Sequence, residues 1–256
     1  MTTDDQPAID AAADGGLHTA HCARLAHRQG QPALPAVDPT TLLGADRPRD
    51  DDTYRLTIME FRDILSRRRM HRAFLPDQIP EDQIERIAGV IRRAPSGGFS
   101  QGGSIVVVTE ESKRQEIARA FGDEHYSPHG RNYIADAPVL MVISANESLY
   151  HARYNEADKL SATGGVEVTW PVPYWYVDAG ALMMLVLMAA IDEGLASAFI
   201  GHPDQKRIFD ELLGLPEDVV PIGLALIGRP GEAPPAGSRL KERQRAKDDL
   251  VHRNGW

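Results

Sequence analysis

The sequence predicts one domain of mixed helices and strands, about 200 residues long, behind an N-terminal tail. Three observations carry this. The first 52 residues differ in composition from the rest, ending in the acidic run Asp50-Asp51-Asp52. Beyond them, short runs of β-branched and aliphatic residues recur, the length and chemistry of buried strands. Between those runs lie segments whose apolar residues return every three or four positions, one face of a helix. With 42% hydrophobic and 25% charged residues in 256, the chain has the makeup of one globular core, and a second full domain does not fit.

The tail, residues 1–52, is rich in Ala, Asp, Gly and Pro and has no sustained periodicity. Its His18, His21, Cys22 and His27 lack the second paired half of a zinc site, so no metal is expected. The domain spans residues 53–256. Within it Ile58, Phe61, Ile64 and Leu65 define a helix over Thr57–Arg69 that runs into a basic cluster. Pro80, Glu81 and Asp82 start a second helix, with Ile84, Ile87, Val90 and Ile91 inward, and Ala94-Pro95-Ser96-Gly97-Gly98 is a loop. A buried strand follows at Ser104–Thr109, a helix at Lys113–Phe121 and a second strand at Ala137–Ser144.

Residues 146–177 read as a long aromatic loop carrying Tyr150, Tyr154, Trp170, Tyr174, Trp175 and Tyr176. Loops of that length within a compact domain are commonly functional. An apolar core helix runs from about Val177 to Glu193 and stops at Gly194, with Met183, Met184 and Met188 as packing residues. Its uncharged stretch is shorter than the roughly 20 residues that cross a bilayer. Ala196–Ile200 is a short strand, Gln205–Leu213 a helix and Val219–Gly228 a long strand.

The net charge of −9 argues against nucleic acid and anionic membranes as partners. A single cysteine and an N-terminus without a secretory pattern point to the cytoplasm. No strand leads into a G-x-G-x-x-G turn, and the glycines of Gly97–Gly103 precede a strand, so neither a Rossmann unit nor a P-loop is expected.

Three features could carry chemistry. Arg67, Arg68, Arg69 and Arg72 crowd one helix end in an acidic protein, suited either to an anion or to the helix dipole. Small residues from Ala94 to Gln101 let a flat ligand approach the backbone, and Arg239–Arg245 offers further cations. Each alone is equally a turn or a solvated face. Lone histidines, namely His71, His125, His129, His151 and His202, are candidate proton carriers, though a lone histidine is more often a packing or surface residue.

Taken together and in this order, Arg68-Arg69-Met70-His71-Arg72-Ala73-Phe74, the Pro95–Gly103 loop before Ile105–Val108, and Gly194-Leu195-Ala196-Ser197-Ala198-Phe199-Ile200-Gly201 resemble the nitroreductase family of FMN enzymes. Leu250–Trp256 is similar to the family's C-terminal ending. The resemblance covers residues 57–256. It implies an α+β, three-layer α/β/α fold around a mostly antiparallel sheet, in an intertwined homodimer. It further implies that Arg68, Arg69, Met70 and Arg72 line the FMN phosphate, ribityl chain and ring. Pro95, Ser96 and Gly97 would come from the partner subunit, Gln101 would also contact the cofactor, Phe199, Ile200 and Gly201 would face the flavin N5, and Arg243 or Arg245 would meet the phosphate. Phe99, Tyr154, Trp170, Tyr174 and Trp175 would contact a planar substrate, or else pack the subunit interface.

The sequence departs from the family pattern at Met70, where Ser is usual, at Phe99, where Asn is common, and at Gly102-Gly103, which replace Pro-Trp. Loss of a hydroxyl at Met70 weakens one cofactor contact. The implied activity is ping-pong reduction of a planar acceptor such as a nitroaromatic or quinone, with FMN reduced by NADH or NADPH and no protein residue carrying the catalytic step. Alternatives within the same fold are an FMN-dependent dehydrogenase or tailoring oxidase, a flavin-consuming enzyme, a deazaflavin protein and a non-catalytic flavin carrier.

Overall fold

A computed structural model describes residues 59–126, 132–232 and 243–256. The tail, residues 53–58, His129, Arg239 and Lys241 lie outside these, as does the side chain of His125.

A five-stranded, wholly antiparallel sheet is the middle layer. Its spine is the longest strand, Val219–Pro230, which is β5 in chain order. Strand β3 (Val139–Asn146) runs along one edge of β5 and β4 (Ala196–Ile200) along the other. Strand β2 (Gly103–Val108) extends the sheet beyond β3, and the two-residue β1 (Phe74–Leu75) pairs with Arg229 and Pro230 at the end of β5.

Because side chains alternate across a strand, β3 serves two cores at once. Leu140 and Val142, with Leu224 and Leu226 of β5, pack against α3 (Glu111–Ala120) and α7 (Gln205–Leu213) through Ile117, Ile208 and Phe209. Val139, Met141 and Ile143, with Ala225 and Ile227, pack on the other face against α2 (Glu81–Ala88) and α6 (Tyr174–Asp192). Helical layers thus cover both faces of the sheet, the α/β/α arrangement that the resemblance implied. Asp123 satisfies a turn buried at the margin of the first core, accepting the backbone N–H groups of Ile134 and Ala135.

Helix α6 begins after Pro173 and ends at Gly194, whose φ of 75° lets the Leu195 N–H reach back to the Ala190 carbonyl at 2.8 Å. Arg86 of α2 clamps this end with a two-pronged contact to Glu193, at 2.7 and 2.9 Å.

Three elements differ from the sequence expectation. Helix α1 (Phe61–Arg67) stops before the remaining arginines, because Arg68 is extended and the His71 N–H is taken by the Ser197 carbonyl of β4. The helix expected through Ile91 tightens into a 3-10 turn at Gly89–Arg93, since Ala94 must be extended ahead of Pro95. The aromatic segment is not one loop. It contains α4 (Glu147–Tyr154) and α5 (Ala157–Ala162), and α6 starts three residues earlier than about Val177, because Tyr150 and Trp175 are buried and anchor these turns to the core.

The register of β5 against β3 slips between Ile143 and Ser144, where Gly223 sits opposite. A Cβ at Gly223 would lie 2.4 Å from Phe199 Cζ and 2.7 Å from the Ile200 carbonyl oxygen. Gly223→Ala is therefore expected to cost about 2 kcal/mol or more, read as a lower urea midpoint, and to displace Phe199 and Ile200.

Candidate functional site

The arginine segment is pinned to the sheet. The His71 N–H donates to the Ser197 carbonyl at 3.1 Å, and the Ala73 carbonyl accepts the Gly231 N–H at 3.0 Å. Arg68 through Arg72 therefore run beside the strand that ends in Phe199 and Ile200. Arg69 Nε donates to His71 Nε2 at 3.1 Å, which requires a neutral ring. Burial, and then the Arg69 charge, hold His71 below the usual imidazole range and keep it in that form. Among the described residues, Arg68, Arg69 and Arg72 pair with no carboxylate. Met70, between them, is exposed.

The turn after β4 is held by Gln205. Its Oε1 accepts the His202 N–H and its Nε2 donates to the Pro221 carbonyl at 2.7 Å, leaving Gly201 exposed at the strand's end. These residues form one group: three cations that pair with no carboxylate among the described residues, anchored at Ser197 of the strand that leads into the exposed Gly201 turn, a donor set suited to an anion.

A second group surrounds the Pro95–Gln101 loop. Gly98, Phe99 and Gln101 have φ of 59°, 63° and 54°, the left-handed region that favours glycine, so Phe99 and Gln101 are strained. Hydrogen bonds hold the loop there: Gln101 N–H to Ser96 Oγ at 3.0 Å and Ser100 Oγ–H to the Gly97 carbonyl at 2.6 Å. The Gly97 N–H donates to Asp178 Oδ2 of α6 at 2.8 Å, and the Tyr150 hydroxyl donates to the same oxygen at 2.7 Å. Burial and the adjacent carboxylate push the Tyr150 phenol up, so it remains a donor. Pro95, Ser96, Phe99, Gln101, Asp178 and Leu182 border a cavity of about 270 Å³.

The aromatic residues sort by depth. Trp170 stands among Tyr154 (ring centroids 4.5 Å apart), Trp175 (5.9 Å) and Tyr150 (6.1 Å) in edge-on contacts. Trp175 is buried, Tyr154 and Trp170 are half-buried, and Tyr174 and Phe99 are exposed. Glu167 ties this cluster together, accepting from Trp170 Nε1 at 3.0 Å and Asn155 Nδ2 at 2.8 Å, with His151 Nδ1 against the same carboxylate. Glu167 and Glu147 raise His151 above the usual imidazole range.

The two groups meet α6 at different levels. Ser197, beside the arginines, donates to the Leu187 carbonyl, nine residues beyond Asp178 and so about 14 Å further along the axis. Arg243 and Arg245 join neither group: residues 243–256 are exposed throughout, and Arg245 donates to the nearby Asp249 carbonyl. Sequence reasoning passed over Asp178 and Glu167. The signal for each was a lone carboxylate inside an apolar or aromatic run.

Comparison with known proteins identifies the family and the fold. The sequence model of the Nitroreductase family matches residues 65–229. The FMN reductase [NAD(P)H] of Bacillus subtilis is 25% identical over 181 residues, 70% of this chain and 69% of that protein. The NADPH:FMN oxidoreductase of Vibrio harveyi, solved in complex with NAD+, is 25% identical and superposes with a TM-score of 0.57 over 76% of each chain. A nitroreductase family protein from Streptococcus pneumoniae shares the fold at 19% identity, TM-score 0.58, covering 76% of this chain and all of that one.

Two outcomes follow from the site geometry. Phe99 is 75% exposed and loses little packing on substitution, so Phe99→Asn should stabilise the protein by about 1 kcal/mol by relieving the left-handed backbone, measured by denaturant unfolding. His151, with its raised pKa, contributes stability that is complete below the unfolded value of about 6.5 and is lost as pH rises through the folded value. Trp170 fluorescence should therefore report a loosened cluster on going from about pH 6 to about pH 9, and Glu167→Gln should diminish that change, leaving the part that Glu147 sustains.

Proposed function

This chain belongs to the nitroreductase family, and from that membership we propose that it is an NAD(P)H-dependent FMN oxidoreductase that reduces a planar acceptor, such as a nitroaromatic or a quinone, in a ping-pong cycle. The observation that carries the reading is the set of guanidinium groups at Arg68, Arg69 and Arg72, which pair with no carboxylate among the described residues and whose segment is anchored at Ser197 of β4, the strand that ends in the exposed turn at Gly201. The donor set fits FMN: forked cations for a phosphate and ring carbonyls, and an open main-chain turn for the ring edge.

FMN held by these residues would supply the redox chemistry that the protein side chains lack. The chain's own residues bind, orient and exclude water. Arg68, Arg69 and Arg72 neutralise the phosphate and polarise the ring, and Met70 adds apolar contact without a hydroxyl. Phe199, Ile200 and Gly201 present main chain to the reactive edge. Pro95, Ser96, Gly97 and Gln101 close the site from a second copy of the chain, and Arg243 or Arg245 reaches the phosphate as the C-terminal segment wraps around that copy. Phe99 and Tyr174 offer exposed rings to the acceptor, while Tyr154, Trp170 and Trp175 form the wall behind them.

Two observations support a homodimer. The arginine group and the Pro95–Gln101 group lie at separate levels of α6 within one chain. Phe61 and Leu65 of α1, Val172, Tyr176 and Val177 around the start of α6, and Leu250, Val251 and Trp256 of the C-terminal segment are all exposed, an apolar surface that a second copy would cover.

The direct test is to load purified protein with FMN, titrate it with NADH and with NADPH, and then add a quinone. Bleaching of the flavin band by a nicotinamide and its return on adding quinone are expected; a protein that takes up no FMN overturns the reading. Arg72→Met should raise the FMN dissociation constant by about 10- to 100-fold, the loss of one charge-assisted contact, without altering the fold measured by circular dichroism.

A further inference from the structure

Helix α4 meets the Pro95–Gln101 loop and the residues after it at glycines, directly at Gly98 and Gly102 and through Asp178 of α6 at Gly97. At Gly97, the N–H shares Asp178 with the Tyr150 hydroxyl. At Gly98, the carbonyl accepts from Arg153 Nε at 2.9 Å, and a Cβ would lie 2.7 Å from Tyr154 Cε2. At Gly102, a Cβ would lie 2.5 Å from Tyr150 Cε2 and 2.6 Å from the Asn146 carbonyl oxygen, while the Gly102 carbonyl accepts the Asn146 N–H at 2.7 Å. Arg153 is itself aimed by a two-pronged contact with Asp158 of α5, at 2.7 and 2.8 Å.

We propose that α4 is a brace for this loop, and that Tyr150 and Arg153 are positioning residues that set the loop's conformation and, through it, the strength of flavin binding; the second clause rests on the FMN reading above. Phe99 and Gln101 are held in a backbone region that L-residues leave unless surrounding contacts impose it. The brace supplies such contacts from outside the loop, from Arg153 to the Gly98 carbonyl and, by way of the Asp178 carboxylate that Tyr150 holds, to the Gly97 N–H.

It also accounts for Gly102 and Gly103, which stand where the family pattern has Pro-Trp. A side chain at 102 would occupy the space of the Tyr150 ring, and a Cβ at 103 already comes within 3.1 Å of Leu182 Cδ2. A proline at 102 and this helix therefore exclude each other, whereas a side chain at 103 would require Leu182 of α6 to shift. Tyr150 is 1% exposed, and both it and Arg153 are directed at the loop rather than at an acceptor, which separates a brace from a lid.

The test uses Tyr150→Phe, Arg153→Met and Arg153→Lys in the full-length protein. Amide exchange of residues 97–101 is followed without flavin, and FMN affinity by fluorescence. Tyr150→Phe and Arg153→Met should each accelerate loop exchange and weaken FMN by about tenfold, the loss of one hydrogen bond to a charged group or held main chain. The rate constant kcat at saturating FMN should stay within about twofold, because the reacting atoms are untouched.

Arg153→Lys should recover part of the affinity. Combining Tyr150→Phe with Asp178→Asn should weaken FMN no more than Asp178→Asn alone, as expected for residues acting in one chain of contacts. Unchanged exchange in Tyr150→Phe and Arg153→Met overturns the brace, as does a change in acceptor KM or kcat without any change in exchange. A wild-type protein that binds no FMN overturns the flavin reading instead, and the exchange measurements still decide whether α4 braces the loop.

Discussion

Helix α6 can be buried along most of its length because Leu182, Val186, Leu187 and Ala190 meet the Val139, Met141 and Ile143 face of β3 and the Ala225 and Ile227 face of β5. Each large aliphatic side chain removed from water in this way contributes about 1.5–3 kcal/mol, so the contact dominates the stability of that layer. Both groups of candidate site residues are attached to this helix. The Pro95–Gln101 loop hangs from Asp178 near its start, and Ser197, which holds the arginine segment, bonds to it at Leu187. Fixing α6 on the sheet therefore fixes where both groups stand.

Asp178 imposes the next constraint. A carboxylate on a packed helix needs donors, and burying one without them costs several kcal/mol. Tyr150 and Gly97 provide them, and in doing so join three segments distant in sequence: the loop before β2, the helix after β3 and the start of α6. The strain at Phe99 and Gln101 is sustained inside this arrangement. A conformation unfavourable to the local chain is stable here because contacts to neighbouring elements over-determine it.

Charge is distributed with the same economy. The chain is acidic overall, with a net charge of −9, and some of its carboxylates pair with arginines within or between neighbouring helices, as at Asp158 with Arg153 or Glu193 with Arg86. Among the described residues the arginines at 68, 69 and 72 have no carboxylate partner, and a neutral His71 beside Arg69 keeps the pair from repelling. Three cations this close in sequence repel one another, and a bound anion would relieve that repulsion.

The sequence by itself determined the buried strands and the core helix, because runs such as Val139–Ile143 and Ala179–Ile191 admit few alternatives at their lengths and compositions. It also determined the kinship, since the arginine signature, the Pro95–Gly103 loop and the Gly194–Gly201 turn are local patterns. It could not determine that the aromatic stretch after β3 forms two helices: α4 has only a weak apolar face, and what stabilises it is the burial of Tyr150 against residues remote in the chain. Nor could it reveal why Gly102 replaces a proline. The reason is a ring 48 positions away pressing on that backbone. Periodicity is a property of neighbours along the chain, whereas a steric exclusion or a shared carboxylate exists only once distant segments have been packed together.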